Sequence, residues 1–125
     1  MIQREQITVT GAAGGAGVAT ATAATVCPIA GVIYSVYLSY TGSPPVGTTV
    51  TIEGVNTPKQ AVLAVTGNTS KWFHCMHQAV SSADGTSSIT NQGQLVVVFD
   101  RLQATIASAN DDDGVVVTLL YEVVK

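Results

Sequence analysis

Apolar and small polar residues alternate along most of this chain, and the pattern is clearest in residues 31–40. Successive side chains of a β-strand point to opposite faces of the sheet. The alternation therefore predicts a strand with Ser35 and Ser39 on one face. The opposite face of that strand, predicted to face the core, carries Val32, Tyr34, Val36, Leu38 and Tyr40.

The same period continues along the chain and predicts roughly eight or nine strands. They are expected at residues 6–10, 18–26, 31–40, 48–53, 60–66, 71–78, 94–99, 101–109 and 115–124. Residues 101–109 also fit a short helix, whereas 94–99 form a continuous apolar run. Loops rich in Gly, Pro, Ser or Asp separate the strands, among them 11–17 and 81–93.

Short strands at this spacing, without a long amphipathic helix, are typical of an all-β protein. We expect one antiparallel β-sandwich domain, of jelly-roll or immunoglobulin-like type, over residues 1–125. Residues 1–5 are polar, and we expect them to precede the first strand as a short N-terminal arm that orders on a partner.

Charged residues are scarce in this sequence, and their scarcity limits the classes of partner that the protein is expected to bind. Only 10% of the residues are charged, while 46% are hydrophobic, and ordinary soluble domains carry about 25% charged residues. The five basic residues are scattered and the net charge is −3, which argues against nucleic acid binding. Such a composition favours a subunit that packs against other subunits.

Compartment and redox state follow from two further features. No apolar run approaches the roughly 20 residues of a membrane-spanning helix, and the first residues lack the apolar segment of a signal peptide. The sequence therefore predicts synthesis in a cytoplasm, with the protein kept there or exported without a cleaved signal, and no membrane contact. Cys27 and Cys75 are expected to be free, buried thiols, because a disulfide between them needs an oxidising compartment.

No set of residues predicts catalysis or a cofactor. A metal site at His74, Cys75 and His77 is disfavoured, because these side chains diverge in a strand. The glycine-rich segment 11–17 has no following Lys and reads as a loop. The acidic segment 111–113 reads as a hairpin turn whose side chains accept backbone N–H groups. We therefore expect neither an enzyme nor a metalloprotein.

The best candidates for function are contact residues. Trp72, His74 and Met76 are predicted to share one face of their strand, with Phe73 and Cys75 on the other. Whichever face is outside the core is a candidate contact patch. The full candidate interface comprises Met1, Ile2, Gln3, Arg4, Glu5, Pro44, Pro45, Trp72, His74 and His77.

Three segments resemble small virion proteins of tailed bacteriophages. They are ITVTGAAG at 7–14, the Tyr-rich strand running into TGSPPVGTTVTI at 41–52, and ATIASANDDDGVVVT at 104–118. Within that group the chain is most similar in overall pattern to the capsid decoration, or cement, proteins. The resemblance covers most of the chain and includes no diagnostic motif.

The resemblance implies a β-sandwich that sits on the outer surface of the capsid. Such proteins bind between capsomers of the major capsid protein, often as dimers or trimers, and stabilise the shell. The alternatives are another virion part, such as a tail or head-fibre subunit, and a carbohydrate-binding β-sandwich module. An exposed row of aromatic residues beside Asn or Asp would favour carbohydrate binding, and a flat, uncharged surface would favour assembly.

Overall fold

The computed structural model describes residues 2–80 and 88–123, and it gives the backbone course alone for 76–80 and 88–95. Every regular element in this part of the chain is a β-strand. The strands are β1 (Ile2–Val9), β2 (Ala19–Ala24), β3 (Ile29–Thr41), β4 (Thr49–Gly54), β5 (Ala61–Thr66), β6 (Lys71–His74), β7 (Met76–Val80), β8 (Ser88–Asp100), β9 (Leu102–Ala109) and β10 (Gly114–Val123).

The strands form two antiparallel sheets that pack face to face. The six-stranded sheet has the order β1-β10-β3-β8-β7, and β6 also pairs with β3. The four-stranded sheet has the order β2-β9-β4-β5. The predicted antiparallel β-sandwich is confirmed. Ten strands are described, and β6 and β7 are separated by Cys75 alone, so counting them as one interrupted strand gives nine.

The core between the sheets is built from inward-facing aliphatic side chains of both. Leu38, Val117 and Leu119 of the six-stranded sheet are fully buried, and so are Ile52 and Ile106 of the four-stranded sheet. The segment 101–109, which also fitted a helix, is strand β9 with Leu102, Ala104 and Ile106 inward. Burial of these side chains is the dominant stabilising contribution to such a fold.

Strand β3 departs from the predicted alternation at its centre. Its pairing with β10 shifts register so that Leu120 lies opposite Ser35 but Tyr121 lies opposite Ile33. This bulge inserts Tyr34 as an extra residue and changes which positions face inward. Val36 and Leu38 face the core as predicted, but Ile33 replaces Val32 there. The predicted inward positions of Val32 and Tyr34 are therefore wrong.

Two predicted boundaries also change. Strand β1 begins at Ile2, and its pairing with β10 runs from Ile2 opposite Glu122 to Val9 opposite Val115, so residues 2–5 are not strandless. Strand β8 begins at Ser88, inside the predicted loop 81–93, of which 81–87 lie outside the described residues. In both segments the backbone pairs with a neighbouring strand, although the polar side chains there did not predict a strand.

Polar loops close one end of the sandwich through the acidic turn. Asp111 Oδ1 accepts the backbone N–H groups of Gly14 and Gly15, at 3.1 and 3.0 Å. Asp113 is buried, and its carboxylate accepts the N–H groups of Ser43 and Asn110, both at 2.8 Å. The predicted role of this turn, acceptance of backbone N–H groups, is confirmed.

Candidate functional site

The outward side of the six-stranded sheet carries large apolar side chains. We call it the outer face. Phe99 is 68% exposed, Val97 42% and Trp72 44%, and Ile2 at its edge is 62% exposed. Strand pairing places these residues on one side, because Trp72 lies opposite Tyr37, Val97 opposite Val32 and Phe99 opposite Ala30 on β3.

Strand β8 shows most directly that the outer face is unusual. Val96 and Val98 are buried in the core, whereas Val97 and Phe99 between them are exposed. A strand that is apolar at every position is typical of one buried on both faces. Here only the inner face is covered within the described part of the chain, so the outer face has the composition of a surface that packs against another molecule.

Two aromatic rings meet on the outer face, across strands β3 and β6. The ring centroids of Tyr37 and Trp72 are 5.1 Å apart, with the ring planes inclined by 56°. This separation lies in the range in which tilted aromatic pairs attract each other. The predicted division of β6 is confirmed for its described side chains, since Trp72 and His74 face outward while Phe73 packs against the core.

Polar side chains make two contacts on the outer face. Ser35 Oγ and His74 Nδ1 are 3.0 Å apart. The Tyr34 hydroxyl donates a hydrogen bond to Glu122 Oε2. That hydrogen bond raises the pKa of Tyr34, and burial and the negative charge of Glu122 act in the same direction. These contacts fix side chains on the outer face, but their geometry does not assemble a nucleophile with an oriented base and an oxyanion site.

The candidate interface residues do not all lie together. Ile2 and Arg4 share the outer face by alternation, because Ile7 and Val9 of the same strand point inward. Gln3 and Glu5 are on the opposite side of β1. Pro44 and Pro45 lie in the loop between β3 and β4 and are half-buried.

The two remaining candidates cannot be placed on a surface. Met1 lies outside the described residues. His77 belongs to β7, where its backbone pairs with Gln94, and its side chain lies outside the description.

The two cysteines differ in their surroundings. Both are free thiols, as predicted, but Cys27 is exposed and the prediction that it is buried is wrong. It lies in the loop that follows β2, next to Val26, which is 89% exposed. Cys75 is buried between β6 and β7, and its burial raises the pKa of the thiol to about 11.

Two classes of feature were sought across residues 2–80 and 88–123. No group of three or more His, Cys, Asp or Glu side chains in these residues is placed to hold a metal ion. No helix in them is long and apolar enough to cross a membrane.

Sequence reasoning missed Tyr37, Val97 and Phe99 as outer-face residues. The signal for Val97 and Phe99 was present, because an uninterrupted apolar run leaves apolar side chains on both faces of a strand. The signal for Tyr37 was also present, because alternation places it with Ser35 and Ser39, opposite the face of Val36 and Leu38.

Comparison with known proteins adds no relative to this description. No family model, curated protein or solved structure matches the chain.

Proposed function

We propose that this protein is a non-enzymatic structural subunit of a tailed-bacteriophage virion. In this proposal it binds the outside of the capsid and stabilises contacts between capsomers of the major capsid protein, as a dimer or trimer. The capsid assignment rests on the sequence resemblance. The observation that carries the assembly role is the exposure of Val97 and Phe99 on a strand whose other face is core.

The outer face suits an apolar protein surface better than a highly charged partner. Arg4 and Glu122 are the only charged residues that alternation places on this side of the described strands. Trp, Phe and Tyr supply large rigid contact areas and are enriched where protein interfaces lose most water. A face of this kind is expected to contribute affinity through apolar burial, with little dependence on salt.

Many weak contacts are sufficient for such a role. A subunit that bridges neighbouring capsomers, or that is itself oligomeric, engages several sites at once. The second contact is then effectively intramolecular, and overall binding can exceed the affinity of one contact by about 10²–10⁴. Each copy therefore needs no deep pocket or catalytic group.

The test is co-sedimentation with empty shells assembled from the major capsid protein of the same virion. We expect the purified protein to sediment with the shells at a fixed ratio of copies to capsomers. Phe99→Ser should weaken this binding by about tenfold or more, as expected for a large aromatic side chain that is buried in an interface. Val26→Ser removes an even more exposed apolar side chain, away from the outer face, and should leave binding within about twofold.

Two results would contradict the proposal. One is a wild-type protein that stays in the supernatant as a monomer at all shell concentrations. The other is equal loss of binding in Phe99→Ser and Val26→Ser, which would remove the outer face from the interaction.

A second candidate function, carbohydrate binding, is favoured by the Tyr37–Trp72 pair. Sugar-binding sites combine exposed aromatic rings with polar groups that fix orientation, and Ser35 and His74 lie next to this pair on strands β3 and β6. A glycan array separates the two candidates. Binding to a defined glycan that is lost in Trp72→Ala but kept in Phe99→Ser would support the carbohydrate function instead of capsid binding.

A further inference from the structure

A groove opens at the border of the outer face, between the end of β8 and the loop that joins β4 to β5. We call it the edge groove. It has a volume of about 270 Å³ and is lined by Asn56, Thr57, Pro58, Gln60, Phe99 and Asp100. Pockets for drug-sized molecules measure about 300–1,000 Å³, so the edge groove suits one side chain of a partner better than a larger ligand.

The loop that forms one wall of the edge groove is held by the other sheet. The carboxylate of Asp100, at the end of β8, accepts the backbone N–H of Asn56 at 2.8 Å and its side-chain Nδ2 at 2.7 Å. Gln60 Nε2 donates to the carbonyl oxygen of Val97, also on β8. The N–H of Gly54 donates to the carbonyl oxygen of Gln60 at 2.8 Å. These bonds fix the loop before any ligand arrives, which lowers the entropic cost of binding.

The same bonds determine which polar atoms remain available. A carboxylate and a backbone carbonyl oxygen only accept, so the atoms that contact them must be the amide nitrogens of Asn56 and Gln60. Asn56 Oδ1 and Gln60 Oε1 are left as acceptors, and neither makes a hydrogen bond to a described residue. Asp100 accepts one further N–H, from Arg101 at 2.7 Å, whereas a carboxylate offers about four acceptor positions for these three donors. The polar atoms left for a ligand are therefore mainly acceptors.

The edge groove also combines a negative charge with an aromatic ring. Phe99 is largely exposed, and the face of such a ring attracts cations. Within residues 2–80 and 88–123, no cationic side chain forms an ion pair with Asp100. Lys59, next to Gln60 in the sequence, pairs with Glu53 instead. The edge groove is therefore complementary to a cationic group that donates hydrogen bonds.

We propose that the edge groove binds the guanidinium group of an arginine side chain on the protein that covers the outer face, with Phe99 against its plane and Asp100 accepting its N–H groups beside the two amide oxygens. A guanidinium is planar, has five N–H donors and no acceptor, and is more weakly hydrated than a lysine ammonium. Arginine is also enriched in protein interfaces. The inference rests on the proposed function for the identity of that protein, which is then the major capsid protein.

The test titrates the isotope-labelled protein with N-acetyl-arginine amide and with the neutral, near-isosteric N-acetyl-citrulline amide, at constant ionic strength. Amide NMR signals of Asn56 and Gln60 report binding. We expect saturable shifts with the arginine compound and none with the citrulline compound. N-acetyl-lysine amide should bind more weakly by severalfold, because an ammonium cannot lie flat against a ring or present a planar set of donors.

Two substitutions separate the contribution of the ring from that of the charge. Phe99→Leu keeps an apolar side chain and removes the aromatic face, so it should weaken binding of the arginine compound about two- to fivefold. Asp100→Asn removes the charge and should weaken it about tenfold or more. The control is Asp112→Asn, in the turn before β10, where β10 meets the opposite end of β3 from Asp100. Over that distance charge is screened, and binding should stay within about twofold.

Several results would overturn the proposal. They are the absence of a saturable shift with the arginine compound, equal shifts with the citrulline compound, and equally tight binding of the lysine compound. Asp100→Asn also alters the bonds that hold the loop, so Phe99→Leu is the decisive variant. Unchanged arginine binding in Phe99→Leu would show that the ring is not part of the site, and the proposal fails.

Shell co-sedimentation of the same variants distinguishes this proposal from the capsid proposal. A protein that sediments with the shells but does not bind the arginine compound would overturn the arginine site alone. A protein that binds the arginine compound but not the shells would contradict the capsid proposal and leave the edge groove as an arginine site for another protein partner. Loss of shell binding in Asp100→Asn, with binding retained in Asp112→Asn, supports both proposals.

Discussion

The outer sides of the two sheets differ although their inner sides are alike. Outside the four-stranded sheet, Thr22 Oγ1 and Thr105 Oγ1 are 3.0 Å apart across neighbouring strands. Gln103 donates to Glu53 at 3.0 Å, and Lys59 lies 3.6 Å from the same carboxylate. Outside the six-stranded sheet, the corresponding positions hold Trp72, Val97 and Phe99, with much of each side chain exposed.

This difference separates what the fold requires from what it leaves open. Thr, Val, Phe and Trp all have high β-propensity, so any of them can form these strands. The inner positions must be apolar because they fill one shared core. The polarity of the outer positions depends on what covers them. Thr and Gln suit a surface in contact with water, whereas Trp and Phe suit a surface covered by a partner. The outer face of the six-stranded sheet is therefore the functional candidate.

The largest effect is expected from the shared core. Ile33 lies beneath the six-stranded sheet and Ile52 beneath the four-stranded sheet, and both are fully buried. Ile33→Ala and Ile52→Ala should each lower the free energy of unfolding by about 2–5 kcal/mol, because each leaves a cavity in close-packed surroundings. Denaturant unfolding measures this loss. Two separate transitions, or a loss in one variant alone, would show that the sheets do not share one core.

A smaller effect distinguishes the two sides of strand β6. Phe73→Ala should lower the free energy of unfolding by about 2–3 kcal/mol, because its ring packs against the core. Trp72→Ala should lower it by about 1 kcal/mol or less, since Trp72 is 44% exposed and loses mainly its contact with Tyr37. Thermal and denaturant unfolding measure both losses. A loss in Trp72→Ala as large as the loss in Phe73→Ala would contradict the assignment of Trp72 to the outer face.

Much of this arrangement could be predicted from the sequence, because a period of two residues is a strong signal for half-buried strands. The strands β4, β5, β9 and β10 lie within a residue or two of their predicted bounds. The orientation of Trp72, Phe73 and His74 followed from the same period. The role of the turn at Asp111 and Asp113 followed from the tendency of short acidic side chains to accept backbone N–H groups.

The remaining differences have two physical causes. The bulge at Tyr34 depends on the register of β10 and on a change of neighbour along β3, which pairs with β8 up to Ile33 and with β6 from Ser35. Such long-range pairing leaves no local pattern in the sequence. The early start of β1 at Ile2 likewise depends on its pairing with β10, which lies at the other end of the described chain.

Thiol reactivity should distinguish the inner side of the six-stranded sheet from the loops. Cys27 is exposed and should react with a thiol reagent in the native protein at neutral pH, whereas buried Cys75 should react only after unfolding. Burial raises the pKa of Cys75 from its ordinary 9.0 to about 11. Its neutral form therefore favours the folded state below about pH 9, and this contribution is lost as pH rises through about 11. Cys27→Ser should abolish the native reaction, and rapid native labelling of Cys75 would contradict its burial.

The smallest effect is expected at the polar border of the outer face, where the Tyr34 hydroxyl donates to Glu122. Glu122→Gln removes the negative charge and leaves a weaker acceptor for the hydrogen bond from the Tyr34 hydroxyl, so the pKa of Tyr34 should fall toward 10.0. An ultraviolet titration of phenolate formation measures this change, and Tyr34→Phe identifies the step that belongs to Tyr34. Because folding raises this pKa, the bond supports the folded state below about pH 10, and that support is lost as pH rises through the higher folded value. An unchanged titration in Glu122→Gln would mean that the hydrogen bond does not hold Tyr34 on the outer face. The apolar surface around Tyr37 and Trp72 would then have a mobile border, unlike the fixed Gln103–Glu53 pair on the other sheet.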